Sequence, residues 1–194
     1  MKLPAIFVCL LIASVLNACA PHDTQCAAIP GGGKYCLQNT ALIPAFETQQ
    51  QVDITFNGKH ESMIASIEND AHGLDFVGLT LFGQKIMHLR YNNHDASALL
   101  SPDKRLDPAL MLALLQLALW PADAVMAGLD PAMQLEESAQ ARHINRGGKV
   151  LMDIQYTDPA IPYRQLAISI PAAQMTLNIT SLPEEPSATS GLEP

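Results

Sequence analysis

Between Asp107 and Pro121 lies a run, Ala109 to Leu119, in which Gln116 is the only polar side chain. Asp107 suits an N-cap and Pro108 the first helical position, while Pro121 cannot continue a helix, so the run is predicted to be helical as far as Trp120. A helix apolar on every face has no side to turn to water. At 1.5 Å per residue it is roughly 20 Å long, too short to cross a bilayer core of roughly 30 Å. The rest of the chain must therefore cover it from several directions. Two uses fit: a plug filling the mouth of a β-structure, or a lid over a cavity for an acyl chain, with Met111 as adaptable lining.

The flanking sequence supplies strands. Val52, Ile54 and Phe56 alternate with Asp53 and Thr55, and Asn57-Gly58 marks a tight hairpin before Met63, Ala65 and Ile67. Leu74 to Phe82 differs: Leu74, Phe76, Val77, Leu79, Leu81 and Phe82 would place apolar groups on both faces of one strand, which predicts a cover on each side. Ile86 to Tyr91 follows, ending at Asn92-Asn93. Past the helix, Asp123 is expected to start a short helical turn that Gly128 ends. Gln134 to Ile144 and Val150 to Tyr156 form an expected hairpin, and Leu166 to Ile170 and Met175 to Ile179 are two short strands parted by Pro171. Eight or nine strands joined mostly to their sequence neighbours predict a mainly β fold: a curved antiparallel sheet, or open half-barrel, with the apolar helix across its mouth.

The amino end reads as an address. Lys2 precedes an apolar stretch, Ala5 to Leu16, of the length of a signal peptide and too short to span a membrane. Leu16-Asn17-Ala18-Cys19 follows and resembles the bacterial lipobox, which implies cleavage before Cys19 and lipidation of its thiol, palmitate included. Ala20, where a retention signal would place Asp, implies by the same resemblance transfer to the outer membrane, on its periplasmic face. Several acyl chains on one residue hold a protein to a bilayer almost permanently. The expected organisation is a signal peptide over 1–18, a tether over 19–25, one β-rich half-barrel domain over 26–182 and a disordered tail over 183–194. In an oxidising envelope the remaining pair, Cys26 and Cys36, flanks Pro30-Gly31-Gly32-Gly33 and is expected to form a disulfide contributing about 2 to 3 kcal/mol. Zinc spacing is absent.

Composition and missing motifs narrow the chemistry. Nineteen acidic against eleven basic residues, a net charge of −8, speak against nucleic acid as a partner. There is no nucleophile elbow, phosphate-binding glycine loop or H-E-x-x-H pair. His22, His60, His72, His88, His94 and His143 show no ligand spacing, and Glu136 and Glu137, adjacent on a strand, would point to opposite faces. No catalytic residue, metal or cofactor is expected, and the chain reads as a non-enzyme.

Gly33-Lys34-Tyr35-Cys36-Leu37-Gln38 and Leu115-Gln116-Leu117-Ala118-Leu119-Trp120-Pro121, in a strand-rich lipoprotein, resemble a family of uncharacterised proteobacterial lipoproteins associated with aryl-polyene-type gene clusters. That family is similar in outline to the outer-membrane lipoprotein-localisation (Lol) receptor, which implies a curved sheet with helices closing an apolar cavity. Two readings stay open. In the first, the anchored half-barrel binds lipid, acyl chains or lipidated cargo, received from a periplasmic carrier protein. Phe76, Leu79 and Leu81 on the strand and Leu112, Leu115, Leu119 and Trp120 on the helix are then the candidate binding residues. In the second, the same fold is filled solid and docks a protein of a lipid or pigment synthesis or export system.

Overall fold

In the computed structural model, residues 25–183 are described except 159, 162 and 163. The leader, Cys19, the tether before residue 25 and the tail beyond 183 lie outside the described residues. Ten strands form one antiparallel sheet: β3 (Phe46–Phe56), β4 (Lys59–Asn69), β5 (Leu74–Leu79), β6 (Lys85–Tyr91), β7 (Ala96–Leu100), β8 (Met133–Glu137), β9 (Ala141–Arg146), β10 (Lys149–Tyr156), β11 (Gln165–Ile170) and β12 (Met175–Ser181). A separate two-stranded hairpin, β1 (Cys26–Ala28) and β2 (Lys34–Cys36), carries the disulfide between Cys26 and Cys36.

The order across the large sheet is β7-β6-β5-β4-β3-β12-β11-β10-β9-β8. It is two five-stranded meanders, β3 to β7 and β8 to β12, joined where the first strand of one pairs with the last strand of the other. Val52 faces Ile179 and Ile54 faces Leu177 across that seam. The two outer edges are therefore consecutive in sequence, β7 and β8, and the sheet is curved but not closed into a barrel. Any connection between them must cross the sheet, and an apolar connection does so over the concave face. Helix α1 (Pro108–Leu119), followed by α2 (Ala122–Gly128), is that connection.

Period-two patterning sets which residues α1 meets. Val52, Met63, Ala65, Ile67, Leu74, Phe76, Leu89, Ile154, Leu166, Ile168, Leu177 and Ile179 are all buried on the concave face. Polar partners such as Asp53, Ser62, Asn178 and Asp75 fall on the convex face, where Ser62 donates to Asp53 at 2.5 Å. The helix starts as the sequence predicts, with Asp107 accepting from the Ala109 N–H at 2.9 Å, and ends at Trp120.

Three sequence expectations are corrected. The run Leu74 to Phe82 is not a strand covered on both sides: β5 ends at Leu79, Val77 and Leu79 are half-buried on the convex face, and Leu81 and Phe82 sit in the β5–β6 turn, 62% and 98% exposed. Apolar content alone does not separate a doubly covered strand from a strand that ends in an exposed tip. Gln134 to Ile144 is two strands, because residues 138–140 form a turn in which Ser138 accepts from the Gln140 and Ala141 N–H groups. Strand β7 lies beyond the expected stop at Asn92-Asn93; the two asparagines only make its hairpin, with Asn93 at φ 69°.

Candidate functional site

The site is an apolar cleft at the centre of the concave face, between α1 and the strands β3, β4, β5, β11 and β12. Thirteen of its fourteen lining residues are apolar and the other is Gln50. Met111, Leu115 and Leu119, spaced i, i+4, i+8, put one helix stripe along the cleft, and all three remain half-buried. Across from them stand Val52, Met63, Ile67, Phe76, Ile168 and Leu177. The free volume is about 30 Å³. Since one water needs roughly 10–15 Å³ and a cavity of about 150 Å³ is known to admit benzene, the cleft as it stands admits no hydrocarbon chain.

What holds α1 is concentrated on its far side and at its carboxyl end. Gln116, the one polar residue of the run, is fully buried away from the cleft. Its Oε1 accepts from the Tyr35 hydroxyl at 3.2 Å and the Gln38 N–H at 2.7 Å, and its Nε2 donates to the Gln38 carbonyl at 2.8 Å. It thereby sews the helix to the segment that follows β2. The Trp120 indole N–H donates to the Asn39 carbonyl at 3.2 Å.

The last turn of a helix leaves carbonyls without internal partners. Here Arg142 on β9 donates through Nη1 to the Leu117 and Trp120 carbonyls at 3.1 and 2.7 Å, and Tyr156 on β10 donates to the Ala118 carbonyl at 2.6 Å. A cation at this end also complements the helix dipole. Arg142 is itself held by Glu137, Nε to Oε1 at 2.6 Å. Burial pushes the Tyr156 hydroxyl up to about 12, against the opposing pull of Arg142, and burial likewise raises Tyr35. Both phenols thus remain neutral donors at any physiological pH.

The amino-terminal half of α1 is secured differently. Among the described residues, its side-chain hydrogen bonding is the local Asp107 cap, and beyond that it rests on the burial of Ala109, Leu112 and Ala113, in a helix that as a whole packs against β1, β6 and β7. The helix is thus pinned at one end and packed at the other.

Of the residues singled out from sequence, the structure brings Phe76, Leu115 and Leu119 together in the cleft. Leu112 and Trp120 are fully buried on other faces of α1 and belong to the core and the carboxyl-end anchorage. Leu79 and Leu81 are away from it, for the reason given above. Cys19 lies outside the described residues. The sheet side of the cleft, Val52, Met63, Ile67, Ile168, Leu177 and Ile179, was legible only as inward-facing positions. That these six converge depends on the β3–β12 pairing, which joins residues about 125 positions apart. No helix among the described residues is long and apolar enough to cross a membrane, and no group of three or more His, Cys, Asp or Glu that could hold a metal occurs among them.

Comparison with known proteins gives a family but no activity. Among solved structures, a DUF1329 family protein from Desulfovibrio piger is similar at a TM-score of 0.31 and 8% identity, over 73% of this chain and 85% of that one. No curated protein sequence matches. The family model "Protein of unknown function (DUF3261)" matches residues 47–183, from the first long strand of the sheet to its last. The chain belongs to the DUF3261 family.

Proposed function

We propose that this protein is a lipid-anchored, non-catalytic module of the outer membrane that binds acyl chains, free or on lipidated cargo, between α1 and the concave sheet. The observation that carries the reading is the cleft itself: apolar on both walls, with a half-buried stripe of Met111, Leu115 and Leu119 at its lip, while the helix's polar attachments are all elsewhere. Entry requires α1 to lift from its amino-terminal half, with the Gln116, Arg142 and Tyr156 bonds serving as the hinge. Each methylene transferred from water contributes roughly 0.8 kcal/mol, so eight shielded carbons supply about 6 kcal/mol toward that opening. Anchorage through Cys19 and delivery by a periplasmic carrier belong to the same proposal, as does a link to a pigment-lipid system.

A second reading is favoured by the small free volume: a filled core that serves only to support a docking surface for a protein partner. The two separate on a fluorescent fatty acid. In the first, delipidated protein takes up the probe with saturation, and Leu115→Glu, at a half-buried position packed on the core, reduces uptake at least tenfold at a temperature where its unfolding curve shows the variant still folded. Absence of uptake by the parent chain, with no lipid co-purifying, removes the carrier reading. Incorporation of labelled palmitate by the parent and not by Cys19→Ser tests the anchor separately.

A further inference from the structure

The two ends of the sheet differ in chemistry. At one end, three hairpin turns each combine an exposed apolar side chain with a lysine. Phe56 pairs directly with Lys59 across the β3–β4 turn, Leu81 and Phe82 form the β5–β6 turn just before Lys85, and Val150 adjoins Lys149, which pairs with Arg146 at the β9–β10 turn. The strand registers place all three turns at the same end, since β4 runs past Leu79 from Ile64 back to Lys59, and Met175, opposite Phe56, follows the turn that leaves β11 beside the start of β10. Phe56 is 47% exposed, Val150 41%, and Phe82 98%. At the other end the described turn residues include Asp70, His72, Asn92, Asp95 and Asp158, and the large exposed apolar side chain found there, Leu42 beside the Asn93 turn, has no lysine next to it in the chain. A chain of net charge −8 thus gathers lysines where its greasy tips protrude.

We infer that this end of the sheet is a contact surface for an anionic bilayer. The tips suit lipid better than a folded partner. Strands are about 4.8 Å apart, so the β3–β4 and β5–β6 tips are roughly 10 Å from each other and the β9–β10 tip lies further off. A fluid interface takes up separated apolar groups one by one, whereas a protein would need a continuous matching face. Lysines beside them meet the anionic headgroups, an attraction that falls with added salt. The contact is separate from any lipid on Cys19. The chain reaches β1 through Gln25, whose side-chain oxygen accepts from the Ala96 N–H at 3.0 Å, and Ala96 pairs with Tyr91 at the opposite, acidic end.

The test uses the chain from Ala20 onward, which retains every described residue and carries no acyl group. It is floated with vesicles of phosphatidylcholine alone and of an equal mixture with phosphatidylglycerol. The expected result is binding to the mixed vesicles only, reversed by raised salt. Phe82→Ser and the pair Lys59→Glu, Lys85→Glu are each expected to weaken it about tenfold or more, without altering thermal unfolding or fatty-acid uptake. In Phe82→Trp the emission should shift to the blue on mixed vesicles relative to the parent, in which Trp120 is already buried. Failure of the parent to bind, equal binding by Phe82→Ser, or indifference to phosphatidylglycerol overturns the inference. So does a parent that ignores vesicles but self-associates through Phe82, which would make the tips a protein interface.

Discussion

Replacing Gln116 by Leu should unfold much of what positions α1 while barely changing the volume of the side chain. The substitution removes three hydrogen bonds and leaves the Tyr35 hydroxyl and both polar groups of the Gln38 peptide facing a methyl surface. Each buried polar group stripped of its partner costs about 1–3 kcal/mol. Against that stands a gain of about 1–2 kcal/mol from no longer burying an amide. With the two groups of half-buried Gln38 at the low end of that range, the loss is about 3–5 kcal/mol and the net destabilisation about 1–4 kcal/mol. In a domain of this length it appears as a fall of roughly 2–15 °C in Tm, or a lowered urea midpoint at unchanged slope. Gln116→Glu extends the test. A protonated Glu can still donate to the Gln38 carbonyl, whereas the carboxylate opposes it, so the folded-state pKa is raised above the unfolded value of about 4.3. The variant's stability is then fully present below that value and lost as pH rises through the folded one. Chemical denaturation of parent, Leu and Glu variants at pH 4 and pH 7 measures both effects. A Leu variant within about 0.5 kcal/mol of the parent, or a Glu variant more stable at pH 7 than at pH 4 relative to the parent, would refute the assignment of Gln116 as the attachment of the helix.

Gly128→Ala at the end of α2 should destabilise by about 1–3 kcal/mol despite alanine's better helix propensity, because the added methyl would meet the Cys36 carbonyl and the Tyr35 ring at 2.5 Å. Thermal unfolding is the check, and a neutral or raised Tm would count against the close packing of α2 on β2. On the convex face, burial tends to raise the Asp75 carboxyl, but hydrogen bonds from Arg90 at 3.0 Å and His88 at 2.8 Å outweigh it and hold the group below the usual range. Its contribution is therefore present above the unfolded value of about 3.9 and disappears as pH falls through the lower folded one. Being partly exposed, the cluster is worth a fraction of a kcal/mol. Asp75→Asn should flatten the acid limb of a stability-against-pH curve between pH 5 and pH 2, and an unchanged limb would remove Asp75 from that account.

Local pattern in the sequence was enough to determine several elements and their faces, though not β7, the break between β8 and β9, or the end of β5. Alternation in Val52 to Phe56 and Met63 to Ile67 set which side chains point inward, Asp107 with Pro108 and Pro121 delimited the helix, and Cys26 with Cys36 around a glycine-rich turn defined the disulfide. These depend on neighbours in the chain, whose geometry is fixed by backbone period and cap chemistry. Tertiary structure alone decided the rest. It paired β3 with β12, so that the sheet residues of the cleft converge, and it made β7 and β8 the edges that α1 must bridge. It also gave Gln116 partners 78 and 81 residues away and sent Leu81 and Phe82 to a solvent-facing tip. An apolar side chain carries the same free energy of transfer wherever burial is offered, so its identity announces that it prefers cover and says nothing of which distant segment supplies it.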